Sequence, residues 1–269
     1  MKTPSVCFTR SRWMCAVILA VTLCAPRLAS AATTIYSDDF SGLSTVALDG
    51  TTPDVRSGTL GGSASATWIA DTLSYMANGT AIGQGAPNIR YAFLAFTPVV
   101  GNVYTLTVDL NTANATSVNW LGAGFTSNTS TSTSSNALDT AWVSYAANGL
   151  GKVYGSSATP YTTFGAAGSA SDPITLTITL DTTTTLWKTT YSAYDLSTSL
   201  PLGSGSYTYT TNPTITSVFI GDIIYGGTVD NFSLTAAPEP NSIALLGMAI
   251  LVSGSLIRLR AARARGALA

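Results

Sequence analysis

Residues 103–110 read VYTLTVDL, and residues 174–180 read ITLTITL. In the first stretch Tyr104, Leu106, Val108 and Leu110 alternate with Val103, Thr105, Thr107 and Asp109; in the second, Ile174, Leu176, Ile178 and Leu180 alternate with three threonines. A period of two sends successive side chains to opposite sides of an extended chain, so each stretch carries one face for burial and one for water. Their β-branched residues also favour a pleated strand over a helix. The fold class expected is all-β.

The same pattern spreads from these two stretches. Thr67–Asp71, Leu73–Ala77, Ile89–Phe96, Val118–Thr126, Ala141–Ala146, Thr185–Tyr194, Ile215–Ile224 and Thr228–Thr235 are further strand candidates. Turn-forming punctuation such as Asn78-Gly79 and Asn148-Gly149 separates them. Roughly ten strands at short intervals predict a single antiparallel β-sandwich over residues 32–236. Two low-complexity stretches, Ser127–Asn136 (SNTSTSTSSN) and Gly58–Ser65, read as an exposed loop and a flexible connection.

Both ends of the chain differ from this middle. Lys2, Arg10 and Arg12 precede an apolar run from Trp13 to Ala25, and Ala29-Ser30-Ala31 offers the small residues of a cleavage site. The run is shorter than the roughly 20 residues a membrane span needs, so residues 1–31 read as a cleaved secretory signal peptide. Cys7, Cys15 and Cys24 all fall inside it. The mature chain therefore has no thiol, which excludes disulfides, zinc-thiolate sites and cysteine nucleophiles.

Between Thr33 and Ala237 four basic residues (Arg56, Arg90, Lys152, Lys188) stand against twelve aspartates, a net charge of −8. Such a domain repels nucleic acid. The chain has no histidine, and its one glutamate is Glu239. A serine hydrolase lacks its base, no Gly-x-Ser-x-Gly elbow is present, and the surroundings of Lys152 lack the spacing of a phosphate loop. A glycosidase would have to work with aspartates alone. The domain is expected not to be an enzyme, with a glycan-cleaving activity as the distant alternative.

Binding is the stronger alternative. Trp68, Trp120, Trp142 and Trp187, with Tyr36, Tyr75, Tyr91, Tyr145, Tyr154 and Tyr161, offer flat faces for sugar rings. On alternating strands most such rings are core. The sequons at Asn78, Asn114, Asn128 and Asn231 are expected by chance in a chain this rich in Asn, Ser and Thr.

Residues 237–269 close the chain with Pro238-Glu239-Pro240, an apolar stretch at about 242–257, and Arg258, Arg260, Arg263 and Arg265. The prolines keep the entry extended, the apolar stretch suits a membrane helix, and the arginines hold the tail on the cytoplasmic side. Sixteen residues make a helix of about 24 Å, short for a bilayer core of about 30 Å. This three-part order resembles the PEP-CTERM sorting signal of Gram-negative envelope proteins. The resemblance implies an exosortase as partner, Pro238, Glu239 and Pro240 as its recognition residues, and a transient inner-membrane anchor. It further implies release or transfer to the cell surface or beyond, often in organisms that make exopolysaccharide.

A second likeness lies in the terminal strands. Ile35-Tyr36-Ser37-Asp38-Asp39-Phe40 and Val229-Asp230-Asn231-Phe232-Ser233-Leu234 are similar to the paired first and last strands of concanavalin A-like or carbohydrate-binding jelly rolls. That resemblance implies a structural calcium held by Asp38, Asp39 and Asp230. The residues alone also allow an Asx turn before Phe40 and a solvent-facing Asp230. The expected protein is thus a non-enzymatic, exported surface or matrix protein, or a module that binds exopolysaccharide.

Overall fold

The computed structural model describes residues 31–41, 46–77, 80–83, 89–112, 120–133, 140–155, 160–165, 173–223 and 227–238. All belong to one compact unit, Ala31–Asn241. The expected signal peptide and membrane helix lie outside the described residues.

Every described element is a strand, and they form two antiparallel sheets. Sheet A has ten strands: β1 (Thr33–Asp38), β2 (Val46–Ala47), β3 (Val55–Arg56), β5 (Ser74–Ala77), β6 (Thr80–Gly83), β8 (Asn102–Asn111), β14 (Ile174–Asp181), β15 (Lys188–Asp195), β16 (Pro201–Thr208) and β18 (Thr228–Pro238). Sheet B has eight: β4 (Ile69–Ala70), β7 (Ile89–Ala95), β9 (Trp120–Thr126), β10 (Ser132–Thr133), β11 (Trp142–Ala146), β12 (Gly151–Tyr154), β13 (Pro160–Phe164) and β17 (Ser217–Ile223).

VYTLTVDL and ITLTITL pair in the middle of sheet A, with Leu106 opposite Ile178 and Thr105 opposite Thr179. Tyr104, Leu106, Val108 and Leu110 are fully buried, as are Ile174, Leu176, Ile178 and Leu180. They meet Leu94, Phe96, Phe125, Val143 and Val218 of sheet B in one core. Burying each such side chain contributes about 1.5–3 kcal/mol, so these two strands anchor the sandwich.

β18 lies between β8 on one side and β6, then β1, on the other. The change of neighbour coincides with a bulge between Asp230 and Ser233, where Asn231 has φ +50°. A bulge adds a residue to one strand and re-aims the side chain beside it. Here it accompanies a buried Phe232 whose ring lies 5.1 Å from that of Trp68.

The strand inventory exceeds the expected ten. β16 and the β12–β13 pair were not anticipated, and Ser132–Thr133 forms a short strand inside the serine-threonine tract. Gly58–Ser65 is also more than a flexible connection. A Cβ on Gly61 would lie 1.9 Å from the Thr97 carbonyl, and one on Gly62 would lie 2.4 Å from Ile35. Two glycines therefore let this segment press against the sandwich.

Candidate functional site

The expected metal ligands lie at the far end of β1. Asp38 points inward and is 4% exposed. Its Oδ2 accepts the Trp68 indole N–H at 2.7 Å, and its Oδ1 accepts the Phe40 N–H at 2.8 Å. The second bond closes an Asx turn around Phe40, whose φ is +51°. Burial pushes the Asp38 carboxyl up to about 6, despite those two hydrogen bonds; Asp54 and Asp39 add repulsion. Asp39 is exposed, and hydrogen bonds from Ser41 hold its carboxyl below the usual range.

Asp54 completes the group, a residue that sequence reasoning missed. Its Oδ2 accepts the Asp39 N–H at 2.9 Å, and carboxylate oxygens of Asp38, Asp39 and Asp54 all lie within 4.8 Å of one another. Only the pairing of Val55 with Ser37 brings Asp54 there, and register is invisible before strands are matched. Asp230 stands outside this set: its Oδ1 accepts the Asn231 N–H at 2.7 Å, and burial raises its pKa, with Asp109 and Asp39 adding to the effect. Asn231 Nδ2 donates to Asp109 at 2.8 Å.

Three carboxylates are hard oxygen donors of the type calcium takes, although the ion wants six to eight oxygens in all. Asp38, Asp39 and Asp54 are the residues that could hold one. The recorded salt bridge among the described residues, Arg90 with Asp71 at 2.9 Å, leaves these three carboxylates without a cationic partner in it. A raised Asp38 beside a lowered Asp39 has the electrostatic split of a glycosidase pair. However, Asp38 spends its oxygens on Trp68 and Phe40 inside the fold, so it is placed to accept bonds there.

The aromatic residues divide between two clusters. Tyr36, Trp68, Tyr145 and Trp187 belong to the core between the sheets. Tyr91, Phe93, Trp142, Tyr154 and Phe219 form a second buried cluster on the other face of sheet B, with Trp120 half-buried against it. Trp142 stacks on Tyr154 at 3.8 Å and 4°, and Trp120 tilts against Trp142 at 5.3 Å. Glycines make room for these rings, since a Cβ on Gly124 would lie 2.4 Å from that of Trp142 and one on Gly221 would lie 2.6 Å from the Tyr91 ring. Tyr161, by contrast, is 58% exposed and packs edge-on to Tyr207 at 5.0 Å.

The outer face of sheet A has a different chemistry. Strand register aligns Thr34, Thr235, Thr105, Thr179, Thr190 and Ser206 in one row across six strands. A second row runs Ser37, Ser233, Thr107, Thr177, Ser192 and Ser204. All twelve are half-buried or exposed, and none carries charge. Among the described residues, Thr235 alone of the twelve makes an internal side-chain hydrogen bond, a long one of 3.5 Å to the Thr105 carbonyl. Strands lie about 4.8 Å apart and same-face residues about 6.6–6.8 Å apart along each strand, so the hydroxyls form a regular grid.

Of the predicted sorting residues, Pro238 is the last residue of β18, opposite Asn102. Proline is tolerated at such a strand end because no ladder bond is asked of it. Glu239, Pro240 and the arginines of the tail lie outside the described residues. The cavity bordered by Arg90, Tyr91, Leu121, Asp222 and Val229 has a volume of about 20 Å³, room for a single water.

No protein-family model matches the sequence, and no curated protein matches it. Among solved structures, the chain is similar to arcelin-5, a lectin-like defence protein from Phaseolus vulgaris, at 10% identity and a TM-score of 0.45, covering 73% of this chain and 98% of that one. It is also similar to the carbohydrate recognition domain of Emp47p, at 10% identity and a TM-score of 0.48, covering 78% and 98%. Lectin II from Ulex europaeus gives 11% identity and a TM-score of 0.43, covering 73% and 99%.

Proposed function

We propose that the sandwich is a non-enzymatic module that binds a neutral polysaccharide, exported and displayed at the cell surface under its C-terminal tail. The observation that carries this reading is the uncharged hydroxyl grid on a domain of net charge −8. Each hydroxyl is both donor and acceptor, which suits a partner that is itself covered in hydroxyls. An anionic polymer would be repelled by the domain's charge.

The energetics predict an unusual selectivity. A neutral hydrogen bond exchanges with water and nets only about 0.5–1.5 kcal/mol. Association itself costs about 4–15 kcal/mol, so a short oligosaccharide touching a few hydroxyls gains too little. A long chain or an insoluble surface engages both rows and binds by number.

Co-sedimentation of the secreted protein with insoluble neutral glucans tests this. Thr107→Lys combined with Ser192→Lys, two strands apart in the same row, should release the protein from the polymer while leaving its melting temperature nearly unchanged; retention of full binding sinks the reading. The sorting part is tested separately by mass spectrometry of the cell-free protein. Residues beyond Asn241 found intact there would remove the role proposed for Pro238, Glu239 and Pro240 and for an exosortase.

A further inference from the structure

We infer that the end of the sandwich from which the chain leaves at Pro238 is a lipid-facing surface, resting on the headgroup region of a bilayer through Val99, Val100 and Leu186. The inference rests on the reading of residues 242–257 as a membrane helix. Val100 is 69% exposed, Val99 48% and Leu186 45%. Exposed aliphatics are ordinary, and Leu196 and Leu200 stand out at the opposite end of sheet A as well; Val99, Val100 and Leu186 differ in sitting on two loops beside Pro238, away from the aspartates. One loop enters β8 at Asn102, directly opposite Pro238; the other joins β14 to β15 beside it.

Hydrogen bonds fix both loops. Tyr104 Oη accepts the Val99 N–H at 2.7 Å and donates to the Val99 carbonyl at 3.0 Å. Asn102 Nδ2 donates to the same carbonyl at 2.9 Å, and Thr182 Oγ1 donates to the Asn102 carbonyl at 2.8 Å. The Gly101 N–H reaches the Thr182 carbonyl at 3.1 Å, tying one loop to the other. With the backbone of Val99 satisfied from beneath, the apolar side chains are left outside. Leu186 is held by Thr184 Oγ1 donating to its carbonyl at 2.7 Å and by the Trp187 N–H donating to Asn212 at 2.8 Å.

Charge separates the two ends of the sheet. Asp38, Asp39, Asp54, Asp109, Asp195 and Asp230 are at the end away from Pro238. At the Pro238 end of the strands, Asp181 stands opposite Lys188. A leaflet rich in anionic lipid repels the first end and tolerates the second. Connection length points the same way. Only three residues separate Pro238 from Ser242, a Cα-to-Cα reach of at most about 14 Å, so this end cannot stand far from a bilayer that holds the helix. Aliphatic side chains on such a surface enter the headgroup boundary.

The test uses the chain as secretion would leave it, residues 32–269, in vesicles of phosphatidylcholine and phosphatidylglycerol. It has no cysteine of its own, so an environment-sensitive fluorophore is attached through Val100→Cys or, as the far-end control, Leu200→Cys. Leu200 is 62% exposed and follows Asp195 in the turn after β15. A blue shift and loss of fluorescence on adding a lipid-borne quencher are expected for the label at 100 and not at 200. Co-flotation with both labels unquenched overturns the inference and leaves the membrane helix standing. A blue shift at 100 without quenching by lipid also overturns it, because the patch is then covered by protein. Failure to float removes the membrane helix itself, and the inference with it.

Discussion

The outward faces of the two sheets begin from the same alternation and end in opposite chemistry. On sheet B the outward positions of β7, β11, β12 and β17 hold Tyr91, Phe93, Trp142, Tyr154 and Phe219, all buried together. On sheet A the middle of the corresponding face holds half-buried threonine and serine, with Val103, Asp109, Asp181, Lys188 and Tyr194 towards the strand ends. One face is packed into the fold and the other stays at the surface. An aromatic side chain on these strands therefore marks packing, and the plainest side chains in the sequence mark the uncovered face.

That contrast can be broken most severely at Trp142. Trp142→Ala removes a ring stacked on Tyr154 and leaves a void over Gly124, which should cost about 3–5 kcal/mol in denaturant unfolding. Equal loss from Tyr194→Ala, whose ring is 46% exposed, would erase the distinction between the faces.

A smaller effect is expected from pH and calcium at the acidic end. Because burial lifts the Asp38 carboxyl from an ordinary 3.8 to about 6, the folded state holds that proton more tightly than the unfolded chain. Its contribution to stability is complete below about pH 4 and is lost as pH rises through about 6. The hydrogen bonds that depress Asp39 and Asp195 act in the other direction, and their contribution is lost on acidification below the usual carboxylate range. Melting temperatures should thus fall between pH 5 and 7, and Asp38→Asn should flatten that fall. Calcium added at pH 7 should raise the melting temperature if Asp38, Asp39 and Asp54 hold it, since a ligand bound only by the folded state stabilises it. No shift on addition or chelation would exclude the site.

The smallest effect belongs to the hydroxyl grid. Thr177→Val keeps the shape and β preference of the side chain, so stability should change by no more than about 0.5 kcal/mol. A large loss would mean that the grid serves the fold and is not held in reserve for a partner.

Legibility in the sequence followed which strands carry their own apolar side chains. β8 and β14 do, and their boundaries and buried faces were readable from VYTLTVDL and ITLTITL alone. β16, PLGSGSYT, does not. Its inward positions Gly203 and Gly205 are filled by the side chains of Phe164 and Tyr191, whose atoms lie 2.5 and 2.7 Å from where a Cβ would stand. Gly151 gives up its place in β12 to the Phe164 ring in the same way, at 2.1 Å. A strand whose share of the core is lent by a neighbour shows no alternation, so a period-based reading passes over it. The same limit applies to the site. Asp38 and Asp39 were visible as a pair, whereas Asp54 required the register of β3 on β1. The hydroxyl rows needed the register of six strands at once.

The place of β18 in sheet A has a mechanical side. The strand that leads into the tail is bonded along one edge to β8 and along the other to β1 and β6. Drag on a domain held at Pro238 would pull along the strand, straining many hydrogen bonds together in shear instead of unzipping them singly. A strand at the rim of the sheet would peel under the same load, so an interior β18 makes the exit at Pro238 resistant to pulling.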